Sequence, residues 1–310
     1  MTETRARAVR FDQYGGLDVL HVADVPMPEP GEGEVVVAVR AAGINPGEAA
    51  IRAGQMHAMY PATFPSGQGS ELAGVVTEAG EGVTEFAVGD EVLGFSFTRS
   101  SHATHTAVPT SQLVAKPPQL PWQVAGALYM PCCTAYAAVR AVAPRPGETV
   151  AVSAAAGGVG SVVVQLLAAQ GVKVLGIASA RSTDWLAAHG ATTVPYGDGL
   201  RERLADAAPE GVDAFIDLFG PQYLDLAIDL GVPPERIETI ISFARAQELG
   251  TKADGSGTAS TKEVLAEMTA RVAAGEIEIP IAATYRLDEV AEAFAELEQR
   301  HTHGKIVLIP

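Results

Sequence analysis

Residues 153–160 read Ser-Ala-Ala-Ala-Gly-Gly-Val-Gly, and an apolar stretch, 161–167, follows without a break. Glycines set this closely let a backbone approach an anion that a Cβ would hold off. A helix starting there adds unpaired N–H groups and the positive end of its dipole. The chemistry suited to such a turn is the grip on a dinucleotide pyrophosphate. Against the pattern G-x-G-x-x-G the chain has Ala155, Gly157 and Gly160, so the first glycine is replaced.

Downstream, a NAD site normally carries Asp or Glu about 20 residues after the turn to accept from the adenosine ribose. This chain has Ile177, Ala178 and Ser179 there, and then Arg181. A hydroxyl and a guanidinium suit a ribose 2′-phosphate, and a missing carboxylate removes a repulsive charge. The expected cofactor is NADPH.

These residues need elements to hold them. An apolar run over 148–152 enters the glycine turn, a helix over 159–170 leaves it, and a second strand covers 172–178. Helix and strand then alternate over 183–189, 193–196, 200–207 and 212–218, which predicts a parallel sheet covered by helices. The first third is β-rich, with strands expected over 6–12, 34–41, 72–79, 91–95, 103–108 and 112–115, and helical residues over 122–141. Helices over 261–274 and 288–299 and a last strand over 305–309 close the chain.

The chain has 310 residues, enough for two domains, with 47% hydrophobic residues and a formal net charge of −16. An acidic chain lacks the basic footprint of a nucleic-acid binder. No run approaches the roughly 18 apolar residues of a membrane span. The first seven residues carry charges and no apolar core of a secretory signal. The two cysteines, Cys132 and Cys133, are adjacent and make no disulfide framework, so a reduced, cytoplasmic protein is expected.

Several motifs occur in a fixed order: Ala41-Ala-Gly-Ile-Asn-Pro46, Gly69-Ser-Glu-Leu-Ala-Gly-Val-Val76, Val88-Gly-Asp-Glu-Val92, Thr134-Ala-Tyr136, Ala155-Ala-Gly-Gly-Val-Gly160 and Gly304-Lys-Ile-Val-Leu308. With them the chain resembles, over nearly its whole length, the zinc-independent quinone oxidoreductases of the medium-chain dehydrogenase/reductase superfamily. The resemblance implies an α/β protein with a GroES-like β-rich catalytic domain (1–121 and 283–310) and a Rossmann domain with a doubly wound parallel sheet (122–282). It also implies a homodimer or homotetramer that pairs through Rossmann sheet edges, and a homodimer is expected. By position in the family, Asn45 and Thr134 would approach the nicotinamide and its ribose. Gly157, Gly158 and Val159 would hold the pyrophosphate. Tyr196 would join Ser179 and Arg181 at the 2′-phosphate. Ile241, Ser242 and Phe243 would line the carboxamide side, and Lys305 would serve the pyrophosphate region. Glu48 stands where relatives usually carry Asp.

The zinc-dependent branch of that superfamily has Cys-His where this chain has Asn45-Pro46, Gly-His-Glu where it has Gly69-Ser70-Glu71, and Cys where it has Met130. Glu71 alone cannot make a three-ligand zinc site, so no metal is expected. His102 and His105 are read as polar surface or cleft-lining residues. Without a Lewis acid, hydride transfer to a quinone or an α,β-unsaturated carbonyl fits best, with charge moving to an enolate or quinol oxygen. Tyr60, His57, Tyr129 and His102 are the candidate donors to that oxygen; Asn45 and Tyr60 are taken as the catalytic pair. Two alternatives stand beside this reading: a NADPH-binding redox sensor or structural protein with little turnover, and a free-standing enoyl-thioester reductase.

Overall fold

In the computed structural model, which describes residues 5–310, valine-rich runs become paired strands and the chain divides into two units. Of the described residues, the first unit holds those up to Met130 together with Thr261–Ala274 and Ile279–Pro310. The second holds Pro131–Ser260 and Gly275–Glu278. This differs from the division at 122 and 282. The helix Lys262–Ala273, read from sequence as part of the Rossmann domain, packs on the strand Leu113–Ala115 of the first unit, and Lys262 pairs with Glu85 there. Alternation of helix and strand says that a helix covers a sheet and does not say which sheet.

The strand Glu34–Gly43 organises the first unit. It pairs antiparallel with Glu71–Ala79, His105–Pro109 and the final strand Lys305–Ile309. Val35, Val37, Val39, Leu72, Val76, Val92, Val108 and Leu113 fill one core. Val9, Ile44, Phe294, Ile306 and Leu308 fill another. The register Val307↔Gly43 and Leu308↔Ala42 carries Lys305 to the turn after Gly43, although about 260 residues of chain separate it from Asn45. The sequence reading missed the strands His21–Pro26 and Ile281–Arg286 and the short helix Pro46–Arg52.

The second unit is a five-stranded parallel sheet in the order Ala191–Pro195, Lys173–Ala178, Thr149–Val152, Ala214–Asp217, Ile237–Thr239. The first strand in sequence lies in the middle, which is the Rossmann arrangement, and ligands of such sheets bind at the carboxyl ends of the strands. Ala151, Leu175, Ile177, Val194, Phe215 and Leu224 are among its buried residues. On the far side of Ile237–Thr239, one residue replaces a sixth strand. Lys252 N–H donates to Ile237 O (2.9 Å), Lys252 O accepts from Thr239 N–H (3.1 Å), and the two segments form a single parallel bridge. Among the described residues, no helix is long and apolar enough to cross a membrane.

Candidate functional site

The glycine turn starts where Thr149–Val152 ends. Ser153 N–H donates to Ile216 O (3.0 Å), Ala154 takes a left-handed φ of 48°, and Gly157 N–H closes the turn on Ala154 O (2.9 Å). Gly157 is the N-cap of the helix Gly158–Ala169 and offers the first-turn N–H groups no capping side chain. The glycines differ in what they permit. A Cβ on Gly160 would stand 2.1 Å from Ala154 O, so this glycine lets helix and turn press together. A Cβ on Gly157 would stand 3.2 Å from Ala154 O, a tight contact that a shift of a few tenths of an ångström would relieve, so packing within the chain demands this glycine far less than Gly160. The alanine at the pattern's first glycine is accommodated by another: a Cβ on Gly176 would lie 3.0 Å from the Ala155 methyl. A helix start bare of capping side chains and of a Cβ at its N-cap fits a pyrophosphate.

The register Ala178↔Pro195 places Ser179 and Tyr196 at adjacent strand ends, and Tyr196 N–H donates to Ala178 O (3.4 Å). Ser179 Oγ accepts from Arg181 N–H (3.3 Å). Arg181 is exposed, and among the described residues its guanidinium makes no hydrogen bond or ion pair; Tyr196 is half exposed. Beside them is a residue the sequence reading passed over. Arg203 donates from Nε and Nη2 to Pro195 O (3.0 and 2.8 Å), from Nη2 to Gly197 O (3.1 Å) and from Nη1 to Asp198 O (2.7 Å). One guanidinium thus ties down the turn that carries Tyr196.

At the ends of the two neighbouring strands, Asp217 is fully buried. Its Oδ1 accepts from Ser153 Oγ (2.8 Å) and from the N–H groups of Phe219 (2.9 Å) and Gly220 (3.0 Å). Its Oδ2 accepts from Thr239 Oγ1 (2.8 Å) and Ser242 Oγ (3.2 Å). Ser242 is therefore buried and engaged, whereas Ile241 is 40% exposed and Phe243 opens the helix Phe243–Leu249. Thr134 lies buried on the helix Tyr129–Val142.

In the first unit Asn45 and Lys305 are found together. Asn45 is buried as the N-cap of Pro46–Arg52, and its amide faces the protein: Nδ2 donates to Glu71 Oε1 (3.0 Å), and Oδ1 accepts from Lys305 Nζ. Lys305 Nζ also donates to Ile44 O (3.0 Å) and Glu71 Oε1 (2.8 Å), so its three donors are all engaged. Both residues belong to an internal charged cluster. Glu48 belongs to it: Oε2 accepts from Asn45 N–H (2.9 Å) and Oε1 from Ser70 N–H (2.8 Å). Glu71 Oε2 accepts from Met130 N–H (2.7 Å).

His102, expected at the surface or lining a cleft, is 1% exposed, with Nε2 3.1 Å from Gly43 O and 3.7 Å from Glu48 Oε2. Tyr129 is buried and stacks on Phe95 at 4.3 Å. Tyr60 and His57 stay exposed on the loop after Gly54. Ala62 N–H donates to Tyr14 Oη (2.9 Å), and that hydroxyl shares a hydrogen bond with His57 Nδ1 (2.7 Å).

The positions corresponding to zinc ligands do not suit a metal. Asn45, Ser70 and Met130 supply no thiolate or imidazole, and Glu71 already holds an ammonium. Among the described residues, no group of three or more His, Cys, Asp or Glu is placed to hold a metal ion.

Known proteins share this architecture. An alcohol dehydrogenase GroES-like domain matches residues 31–141, and a zinc-binding dehydrogenase domain matches residues 189–308. The quinone oxidoreductase of Pseudomonas aeruginosa is 32% identical over 334 aligned positions, covering 98% of this chain and 100% of the relative. That of Homo sapiens is 28% identical, covering 98% and 97%. Among solved structures, the Escherichia coli quinone oxidoreductase complexed with NADPH superposes with a TM-score of 0.87 at 25% identity, covering 98% of this chain and 100% of that one. The Pseudomonas syringae quinone oxidoreductase gives 0.88 at 28%, with the same coverage. The glycine turn, the Rossmann strand order and this full-length similarity show that the chain belongs to the quinone oxidoreductase family of the medium-chain dehydrogenase/reductase superfamily.

Proposed function

We propose that the chain is a zinc-independent, NADPH-dependent oxidoreductase acting on a quinone or an α,β-unsaturated carbonyl. The observation that carries the cofactor choice is Arg181. Its guanidinium has no partner within the described chain, and it stands with Ser179 and Tyr196 at strand ends where no carboxylate replaces them. A planar donor fork left free beside a hydroxyl and a phenol is a receptor for a phosphate dianion. The Escherichia coli relative was solved with NADPH, which supports the same reading.

Bound, the dinucleotide supplies a hydride. The chain's part is to hold and orient. Gly158 and Val159 offer backbone N–H groups to the pyrophosphate, and Gly157, whose own N–H closes the turn on Ala154 O, leaves the approach free of a Cβ. Ile241 and Phe243 present apolar surface on the carboxamide side, and Ser242 holds that turn from within. Thr134 stays in the reading as a contact to the nicotinamide ribose. Tyr60 and His57, the exposed candidates, are proposed as donors to the acceptor oxygen. Asn45 and Lys305 act through the buried cluster. Zinc independence rests on the ammonium that Glu71 already holds. A cytoplasmic homodimer completes the reading, on family resemblance.

A screen of purified protein tests it. NADPH and NADH oxidation would be followed over quinones, enones, alkenals and enoyl thioesters, before and after treatment with a strong zinc chelator. The expected result is turnover of a quinone or enone, at least about tenfold faster with NADPH at limiting cofactor and unchanged by chelation. Equal use of NADH, or loss of activity on chelation with recovery on adding zinc, would reject it.

A further inference from the structure

We propose that Asp217 is a positioning residue that sets the two cofactor-binding turns against each other, one through each carboxylate oxygen. The inference rests on the dinucleotide reading above and adds a division of labour within it.

The contacts sort cleanly by atom. Oδ1 takes Ser153 Oγ, Phe219 N–H and Gly220 N–H, so it governs the start of the glycine turn and the turn after Ala214–Asp217. Oδ2 takes Thr239 Oγ1 and Ser242 Oγ, so it governs the turn after Ile237–Thr239. Both strand-end hydroxyls work as relays. Ser153 Oγ donates to Asp217 and accepts from Leu218 N–H (2.7 Å). Thr239 Oγ1 donates to Asp217 and accepts from the N–H groups of Ser242 (3.1 Å) and Ile241 (3.3 Å). A carboxylate only accepts, so every proton direction in the network is fixed. Ser153, Asp217, Thr239 and Ser242 are all buried. Water therefore cannot take over a lost bond, and an unpaired member costs its full desolvation.

Strand pairing alone does not hold these turns. The ladder joining Ala214–Asp217 to Ile237–Thr239 ends with Asp217↔Thr239, and the residues that would meet the cofactor come after it. Beyond that point, Asp217 Oδ2 and its relays supply the contacts that reach Ile241 and Ser242. An asparagine could keep the Oδ1 half. Its Nδ2 would face Thr239 Oγ1, which already accepts two N–H groups, so the Oδ2 half would fail.

Each half can be cut separately. Ser153→Ala removes an Oδ1 donor. Thr239→Val removes the Oδ2 relay with little change of shape, and Asp217→Asn disables Oδ2 alone. Two probes separate the effects: 2′-phospho-ADP-ribose, which carries the pyrophosphate without the nicotinamide, and NADPH itself. Ser153→Ala is expected to weaken both probes alike, about tenfold. Thr239→Val and Asp217→Asn are expected to leave 2′-phospho-ADP-ribose affinity unchanged while NADPH affinity and kcat both fall about tenfold. Thr239→Ser, which keeps the hydroxyl, is expected to restore both. If Thr239→Val weakens the two probes equally, or if the serine fails to rescue, Asp217 is only a structural anchor and the proposal is wrong. A wild-type protein that binds neither probe overturns the dinucleotide reading and the proposal with it. Should Thr239→Val not fold, Asp217→Asn carries the same comparison.

Discussion

Lys305 Nζ lies 2.8 Å from Glu71 Oε1, and both side chains are closed to solvent. A buried pair like this gains little over an apolar pair, but losing one partner strands the other charge. Lys305→Met is therefore expected to destabilise the first unit by about 3–5 kcal/mol. Adding Glu71→Gln to that variant should recover a large part of the loss. Urea unfolding of the two single variants and the double variant measures the coupling, and simple additivity would contradict it.

The glycines of the turn should separate folding from binding. Gly160→Ala drives a methyl to 2.1 Å from Ala154 O, a backbone atom that cannot step aside. A loss of about 1–3 kcal/mol or more is expected, with a lower melting temperature. Gly157→Ala meets Ala154 O at 3.2 Å, which a shift of a few tenths of an ångström relieves, so it should fold with a much smaller loss, while on the proposed reading its methyl would obstruct the phosphate. The expected signature is a near-native melting curve with NADPH affinity reduced about tenfold or more, read by titration.

Glu238 makes stability depend on pH near neutrality. It is fully buried on Ile237–Thr239, one oxygen accepts from Asp254 N–H (2.8 Å), and burial pushes its carboxyl from 4.5 up to about 7, with the Asp254 charge adding to the rise. A raised folded-state value means that the fold favours the proton. The contribution is fully present below about pH 4.5 and is lost as pH climbs through about 7. Between those limits it amounts to roughly 3 kcal/mol. Denaturant unfolding at pH 6 and pH 8 should show the decline, and Glu238→Gln should flatten it. An unchanged slope in that variant would assign the pH dependence elsewhere.

Cofactor preference should respond to two arginines in different ways. Arg181→Glu replaces a free guanidinium with a charge that repels a 2′-phosphate, and the NADPH-over-NADH ratio of kcat/KM is expected to fall about 10–100-fold. Arg203→Gln leaves Arg181 in place but releases the turn at Pro195, Gly197 and Asp198. A smaller fall of about threefold to tenfold is expected, confined to NADPH. If NADH suffers equally, Arg203 supports the fold and not the choice of cofactor.

What was legible in the sequence follows the physical range of each signal. Glycine spacing and apolar runs are local, so the turn at 153–160 and the strands leading to Ser179 and Asp217 could be read directly. Ile237–Thr239 was hidden because it is three residues long with a buried glutamate at its centre. The helix Pro46–Arg52 did leave a local mark, Asn45 with Pro46 and then Glu48, which is a capping box with proline at its first position. The longer side chain of Glu48 also explains itself, since it reaches Ser70 N–H as well as its own helix start. The mutual contact of Asn45 and Lys305 was not legible because it comes from antiparallel pairing across the length of the chain. Asp217 gathers donors from 64 residues before it to 25 after, and no window of sequence contains them together.

Lys252 closes the outer margin of the parallel sheet with its main chain alone, taking up the carbonyl of Ile237 and the N–H of Thr239. A three-residue strand has few ladder groups to offer, and one bridging residue occupies those two. Exposed strand edges are where chains add to one another, whether as ordered pairs or as aggregates. Here a second copy seeking to extend the sheet would first have to peel Lys252 away. The bridge thus acts as a stopper at this edge: a strand of a second copy cannot take up the Ile237 carbonyl and the Thr239 N–H while Lys252 holds them.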